Sequence, residues 1–142
     1  MRRVIFMILI ISLGIGLWAG KEGVGKVSPA FTNYVAAQEA LASDNLESAK
    51  NALELLAKSS KGELKKLTET TLKAKNLETL RQAFKPLSEW MVTQELPNGL
   101  AVAYCPMAKA HWVQKNGDVA NPFYGSAMLR CGTIKKVPGK DK

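Results

Sequence analysis

Between residues 29 and 96, apolar positions recur every three or four places, and that spacing predicts four amphipathic helices. Ser28-Pro29 opens the first, as a capping residue followed by proline at the first helical position. Its stripe is Phe31, Tyr34, Val35, Gln38 and Leu41. Ser43-Asp44-Asn45 breaks the pattern, and Asp44 with Glu47 three residues on reads as a capping box for the second helix. That helix carries Leu46, Ala49, Leu53 and Leu56. After the turn at Ser59-Ser60-Lys61-Gly62, the third carries Leu64, Leu67, Thr71 and Ala74. Asn76 punctuates, and the fourth carries Leu77, Leu80, Phe84, Leu87 and Met91. Pro86 is expected to kink this last helix, or to end and restart it. The seams, with Trp90 and Met91, read as core, and the interleaved lysines as solvated surface.

The pattern changes at residue 97. Leu100, Val102 and Tyr104 alternate, which predicts a short strand running into Cys105. The rest of the tail is rich in Gly, Pro and Asn. The expected fold class is therefore all-α: a small antiparallel bundle of about four helices. An irregular C-terminal cap over 97–137, with a short strand or hairpin, belongs to the same domain, and 138–142 form a polar tail.

The N-terminus changes the picture of the compartment. Arg2 and Arg3 precede an uncharged, mostly apolar run from Val4 to Ala19, the pattern of a secretory signal over 1–20. The run is about 16 residues, shorter than the roughly 20 of a membrane span, and an uncleaved anchor is the alternative. Residues 21–28 form a flexible lead-in. The remaining chain is expected to be exported, in a bacterial periplasm, touching the membrane only through an uncleaved N-terminal segment. The whole chain has 20 Lys and Arg against 12 Asp and Glu, a formal +8; without the first 20 residues it is 18 against 12, or +6. The excess is interleaved with Glu and has no basic-aromatic platform, so no nucleic-acid partner is expected.

The chemistry-bearing stretch is Leu100 to Val137. Cys105-Pro106-Met107 is a C-x-M pair, and Met128 to Cys131 is M-x-x-C, which places both residues on one face of a helical turn. Thiolates and thioethers are soft ligands that suit Cu(I), and thiolates also suit Zn. Cys105, Met107, Met128 and Cys131 are the candidate metal ligands, with His111, the single histidine, as a further imidazole. Trp112, Phe123 and Tyr124 are expected to shield the site, with Tyr104 and Asn121 beside them. The competing reading is a Cys105–Cys131 disulfide, common in exported proteins. It would close a loop of about 27 residues and contribute roughly 3 kcal/mol. Met107 and Met128 would then fill gaps in the core. No enzyme is expected: there is no C-x-x-C for thiol exchange, no nucleophile signature, and Gly20 to Gly25 lacks the strand–helix context of a phosphate loop.

The tail pattern Tyr104-Cys105-Pro106-Met107-Ala108, Trp112, Gln114, Asn121-Pro122-Phe123-Tyr124-Gly125, Met128-Leu129 and Cys131-Gly132 resembles a bacterial exported domain of unknown function. That domain occurs in or beside periplasmic adaptor (membrane-fusion) subunits of copper/silver heavy-metal efflux systems. Phe123 departs from it, where Tyr is common. In the helical half, Asp44 to Ala49 and the R-x-x-F-x-x-L-S run from Arg81 to Ser88 look similar too. The resemblance covers about residues 30–135 and does not include His111. It implies a soft-metal accessory protein, with copper as Cu(I) at Cys105, Met107, Met128 and Cys131. The implied partner is a heavy-metal efflux adaptor or pump component.

Overall fold

The computed structural model describes residues 27–138. The expected signal segment and most of the lead-in and polar tail lie outside them. Among the described residues, no helix is long and apolar enough to cross a membrane.

Four helices come first: α1 (Pro29–Ala42), α2 (Leu46–Ser59), α3 (Gly62–Leu72) and α4 (Leu77–Val92). Each packs on the next. The Ser28 hydroxyl accepts the Phe31 N–H and starts α1. The cap of α2 is Asn45 rather than Asp44: its side chain accepts the Ser48 N–H at 2.9 Å. Asp44 has a left-handed backbone (φ 58°), and its carboxylate instead meets Arg81 and Ser126, far along the chain. In α3 the buried seam is Leu64, Thr68 and Thr71, with Leu67 half-buried and Ala74 beyond the helix end. The threonines fit because their hydroxyls bond backbone carbonyls; Thr71 reaches both Leu67 and Ala83. Asn76 and Thr79 form a reciprocal capping box at α4. α4 runs unbroken through Pro86. The ring and Gln82, whose carbonyl loses its donor, are both exposed, so the freed group is open to solvent rather than buried without a partner.

The expected all-α class is wrong. Residues 100–136 form a three-stranded antiparallel sheet, making this a mixed α/β fold. Its strands are β1 (Leu100–Cys105), β2 (Ala110–Lys115) and β3 (Thr133–Lys136), in the order β2-β1-β3. Cys105 faces Ala110 across one pair and Tyr104 faces His111; on the other side Tyr104 pairs with Thr133 and Ala103 with Ile134. The alternation cue was missing for two physical reasons. β2 buries Ala110, Trp112, Val113 and Gln114, so both of its faces are covered. β3 is exposed at all four positions.

β2 docks on the helices through its outer edge. The Val113 N–H donates to the Tyr34 hydroxyl (3.3 Å), and the His111 N–H to a Glu89 carboxylate oxygen (2.6 Å). That edge is thereby closed to further strand pairing. A chain of rings joins the two halves. Tyr34 stacks on Phe84 (centroids 5.2 Å), Phe84 meets Phe123 (6.4 Å), and Phe123 meets Trp112 edge-on (5.8 Å). Tyr34, Phe84 and Trp112 are fully buried, so one core runs through bundle and sheet.

Candidate sulfur site

The end of the central strand sets the first thiol. Cys105 closes β1, fully buried, and Pro106 to Lys109 turn the chain into β2. Pro106, Met107 and Lys109 of this turn are exposed. The second thiol arrives from the loop before β3. A short 3-10 turn (Gly125–Met128) ends with the Cys131 N–H donating to the Met128 carbonyl at 3.0 Å.

Two features steer that loop. Asn121 is fully buried and donates its amide N–H to the Cys131 carbonyl (2.8 Å), while its side-chain oxygen accepts the Phe123 N–H (2.8 Å). Its backbone N–H reaches Leu129 at 2.8 Å. Gly132 has φ 137°, and a Cβ there would stand 2.8 Å from the Tyr104 carbonyl oxygen and 2.9 Å from the Trp112 ring. Only glycine lets the chain pass this close to β1. The outcome is a pair of free thiols, with Sγ of Cys105 and Cys131 2.8 Å apart.

The pair is asymmetric. Burial pushes the Cys105 thiol up, but hydrogen bonds from the Cys131 thiol, the Ala108 and Met107 N–H groups and Asn121 outweigh it. The net direction is down, towards thiolate. Cys131 is half-buried and moves up, chiefly because its proton is held against the Cys105 sulfur. Two neighbouring thiols thus titrate as a pair, with the proton held between them favouring the Cys131 sulfur.

The methionines do not fill the core. Met107 is 63% exposed and Met128 37% exposed. Both flank the thiols: the Met107 N–H reaches both sulfurs, and Met128 lies one turn before Cys131. His111 is placed apart from them. Neighbouring strand residues face opposite ways, so His111 shares the Tyr104 face rather than that of Cys105. Its ring lies 4.5 Å from Tyr104, with Nδ1 3.2 Å from the Glu89 carboxylate. Of the expected shell, Trp112 and Asn121 are fully buried and Phe123 nearly so, with Tyr104 and Tyr124 half-buried. Among the described residues, no group of three or more His, Cys, Asp or Glu side chains gathers to hold a metal.

Sequence reasoning passed over the latch that ties this loop to the bundle. Arg81 donates to the Leu41 carbonyl (2.8 Å) and the Pro122 carbonyl (3.1 Å), and pairs with Asp44. Asp44 also accepts the Ser126 N–H. The Ser126 hydroxyl, then Arg81, hold its carboxyl below the usual carboxylate range. The available signal was an Asp in a helix break together with an Arg next to the buried Leu80 of the fourth helix, but nothing local pairs them. Comparison with family models, curated proteins and solved structures returns no match.

Proposed function

We propose that this chain is an exported accessory protein that holds Cu(I) as cargo at the Cys105–Cys131 pair. The observation that carries the reading is two adjacent free thiols flanked by two methionines left at the surface. Buried methionines would have a packing role, whereas these have little. The donor set suits Cu(I) better than zinc. Structural zinc takes four ligands, and only two thiols meet here without a third Cys, His or carboxylate. Soft sulfur donors select Cu(I), and the lowered proton affinity of Cys105 favours its thiolate. Met107 and Met128, both exposed and close along the chain to the cysteines, would act as thioether donors in this reading, and the buried Trp112 and Phe123 belong to the core beneath the tail. His111, engaged by Glu89, is left out of the ligand set. The partner class that fits is the adaptor or pump of a heavy-metal efflux system.

The test is an anaerobic Cu(I) titration against a chromophoric chelator, with wild type, Cys105→Ser and Met107→Leu/Met128→Leu side by side. Tight one-to-one binding, lost in the serine variant and weakened in the leucine variant, is expected. Absence of binding in a protein with two confirmed free thiols would overturn the reading. A second reading draws on the same sulfur proximity: an interaction domain clasped by a Cys105–Cys131 disulfide. Thiol counting on protein taken directly from the export compartment separates the two.

A further inference from the structure

The fold creates a chemistry that the spacing along the chain hides. Thiol exchange is usually read from C-x-x-C, and here the cysteines stand 26 residues apart. The Sγ atoms nonetheless lie 2.8 Å from each other, so a disulfide of about 2.05 Å closes with a shift of under about 1 Å. Both backbones are fixed. Cys105 closes β1 and is paired with Ala110 of β2. The Cys131 carbonyl is held by the Asn121 amide at 2.8 Å, and Gly132 is packed against the Tyr104 carbonyl and the Trp112 ring. The two sulfurs therefore stay opposed whichever bonds they make. Reaction between them is intramolecular and outruns a second encounter from solution.

The two thiols differ in reach. Cys105 is fully buried, whereas Cys131 is half-buried and follows the exposed Arg130 in its loop. Exchange proceeds by attack of a thiolate on a disulfide sulfur, so a sulfur closed to outside reactants takes part only through its neighbour. We propose that the Cys105–Cys131 pair is a reversible thiol–disulfide exchange site with a fixed order: Cys131 meets the outside disulfide or thiol, and Cys105 makes and breaks the internal bond. This supplies the regulation of the metal site and rests on the metal reading only for that consequence. Cu(I) binds thiolates, so the disulfide form holds no cargo, and a loaded pair has no free sulfur for exchange.

In the oxidising direction the reactant is an outside disulfide, RSSR. Cys131 loses its proton and attacks it; a Cys131–SR bond forms, the RS–SR bond breaks, and RS− leaves to become RSH with that proton. Cys105 then loses its proton and attacks the Cys131 sulfur. The internal bond forms, and the second RS− leaves as RSH. Two protein thiols have given up two electrons, and RSSR has become two RSH. In the reducing direction an outside thiolate attacks Cys131. Cys105 is displaced as a thiolate beside the Ala108 N–H, which donates to that sulfur at 3.4 Å. A second outside thiolate attacks the outer sulfur of the mixed disulfide, freeing Cys131 and leaving RSSR.

The test starts from reduced, metal-free protein and oxidised glutathione, read by mass spectrometry. Wild type should consume one equivalent, release two of reduced glutathione and carry no adduct. Cys105→Ser should keep a stable glutathione adduct at Cys131. Cys131→Ser should react on the order of a hundredfold more slowly, because Cys105 is reached only by local opening of the fold. Circular dichroism checks that both serine variants fold. Iodoacetamide pulses on reduced wild type, followed by peptide mapping, read the same order without a variant, with Cys131 labelled first. Equal reactivity of the two cysteines would overturn the proposal. So would an internal disulfide that dithiothreitol opens only once the chain is unfolded, which is the behaviour of a permanent clasp. The Cu(I) competition is then run on reduced and on oxidised wild type. Binding by the reduced chain alone supports the gate, and equal binding by both overturns it. No binding by either, with the order of exchange intact, removes the metal reading and leaves the exchange site supported.

Discussion

The helical half is ordered largely by near neighbours, and the sheet half by groups far along the chain. α1, α2 and α4 start on side-chain caps within three residues: Ser28 to Phe31, Asn45 to Ser48 and Asn76 to Thr79. The strand-bearing half is fastened by Tyr34 to Val113, Gln38 to Ala120, Arg81 to Pro122, Asp44 to Ser126 and Glu89 to His111. These span separations from 22 to 82 residues. The sulfur pair sits in the half that borrows its order. Its geometry therefore depends on helices that supply neither cysteine, and damage to the bundle should reach the thiols at a distance.

The largest break expected is Phe84→Ala. Phe84 is fully buried and its ring bridges Tyr34 and Phe123. The loss should be about 3–5 kcal/mol. Urea unfolding followed by circular dichroism and by Cys105 alkylation should give coincident transitions. Separate transitions would show that the two halves fold independently.

Gly125→Ala acts on the latch alone. Gly125 has φ 56°, and a Cβ there would collide with the Arg81 guanidinium and the Asp44 carboxylate. A cost of about 1–3 kcal/mol is expected. Faster alkylation of Cys131 should accompany it, and an unchanged rate would detach the latch from the sulfur site.

Tyr34→Phe removes one oxygen that serves both halves. The hydroxyl bonds Ser88 at 2.6 Å and accepts the Val113 N–H, and burial pushes its proton affinity well up. The loss should be about 1–2 kcal/mol. Hydrogen exchange at Val113 should rise more than exchange within α1.

Acid should loosen the latch before the bundle. The Asp44 carboxyl is held below its ordinary value, so its contribution is complete above the unfolded carboxylate range near pH ~4. It is lost as pH falls through the folded value. Asp44→Asn should be less stable than wild type at neutral pH, with the gap closing in acid. A gap independent of pH would remove the charge from the explanation.

Met107→Leu/Met128→Leu should change stability least, within about 0.5 kcal/mol, because both side chains are exposed. The same variant is expected to weaken Cu(I) binding. A large stability loss would return the methionines to a packing role.

The legible parts were those whose physics is local. Helical periodicity placed Tyr34, Leu53, Leu80 and Phe84 in the core, where the structure buries them. The Asn76 stop and the strand into Cys105 were also readable. Asp44 misled because a capping residue and a left-handed turn residue look alike in sequence. The sheet was missed because alternation marks a half-exposed strand, and neither the doubly covered β2 nor the exposed β3 is one.

By itself, the sequence determined which sulfur-bearing residues the tail holds and in what order: two cysteines, two methionines and a glycine after the second cysteine. Residue type sets ligand softness, and no fold is needed to read it. Only the tertiary structure decided which of them meet. It brought Cys131 to Cys105 across 26 residues, left both methionines in solvent and turned His111 to the other face. Those outcomes depend on strand register, on a glycine squeezed past Tyr104 and Trp112, and on a buried Asn121. Such contacts between distant residues leave no periodic trace along the chain.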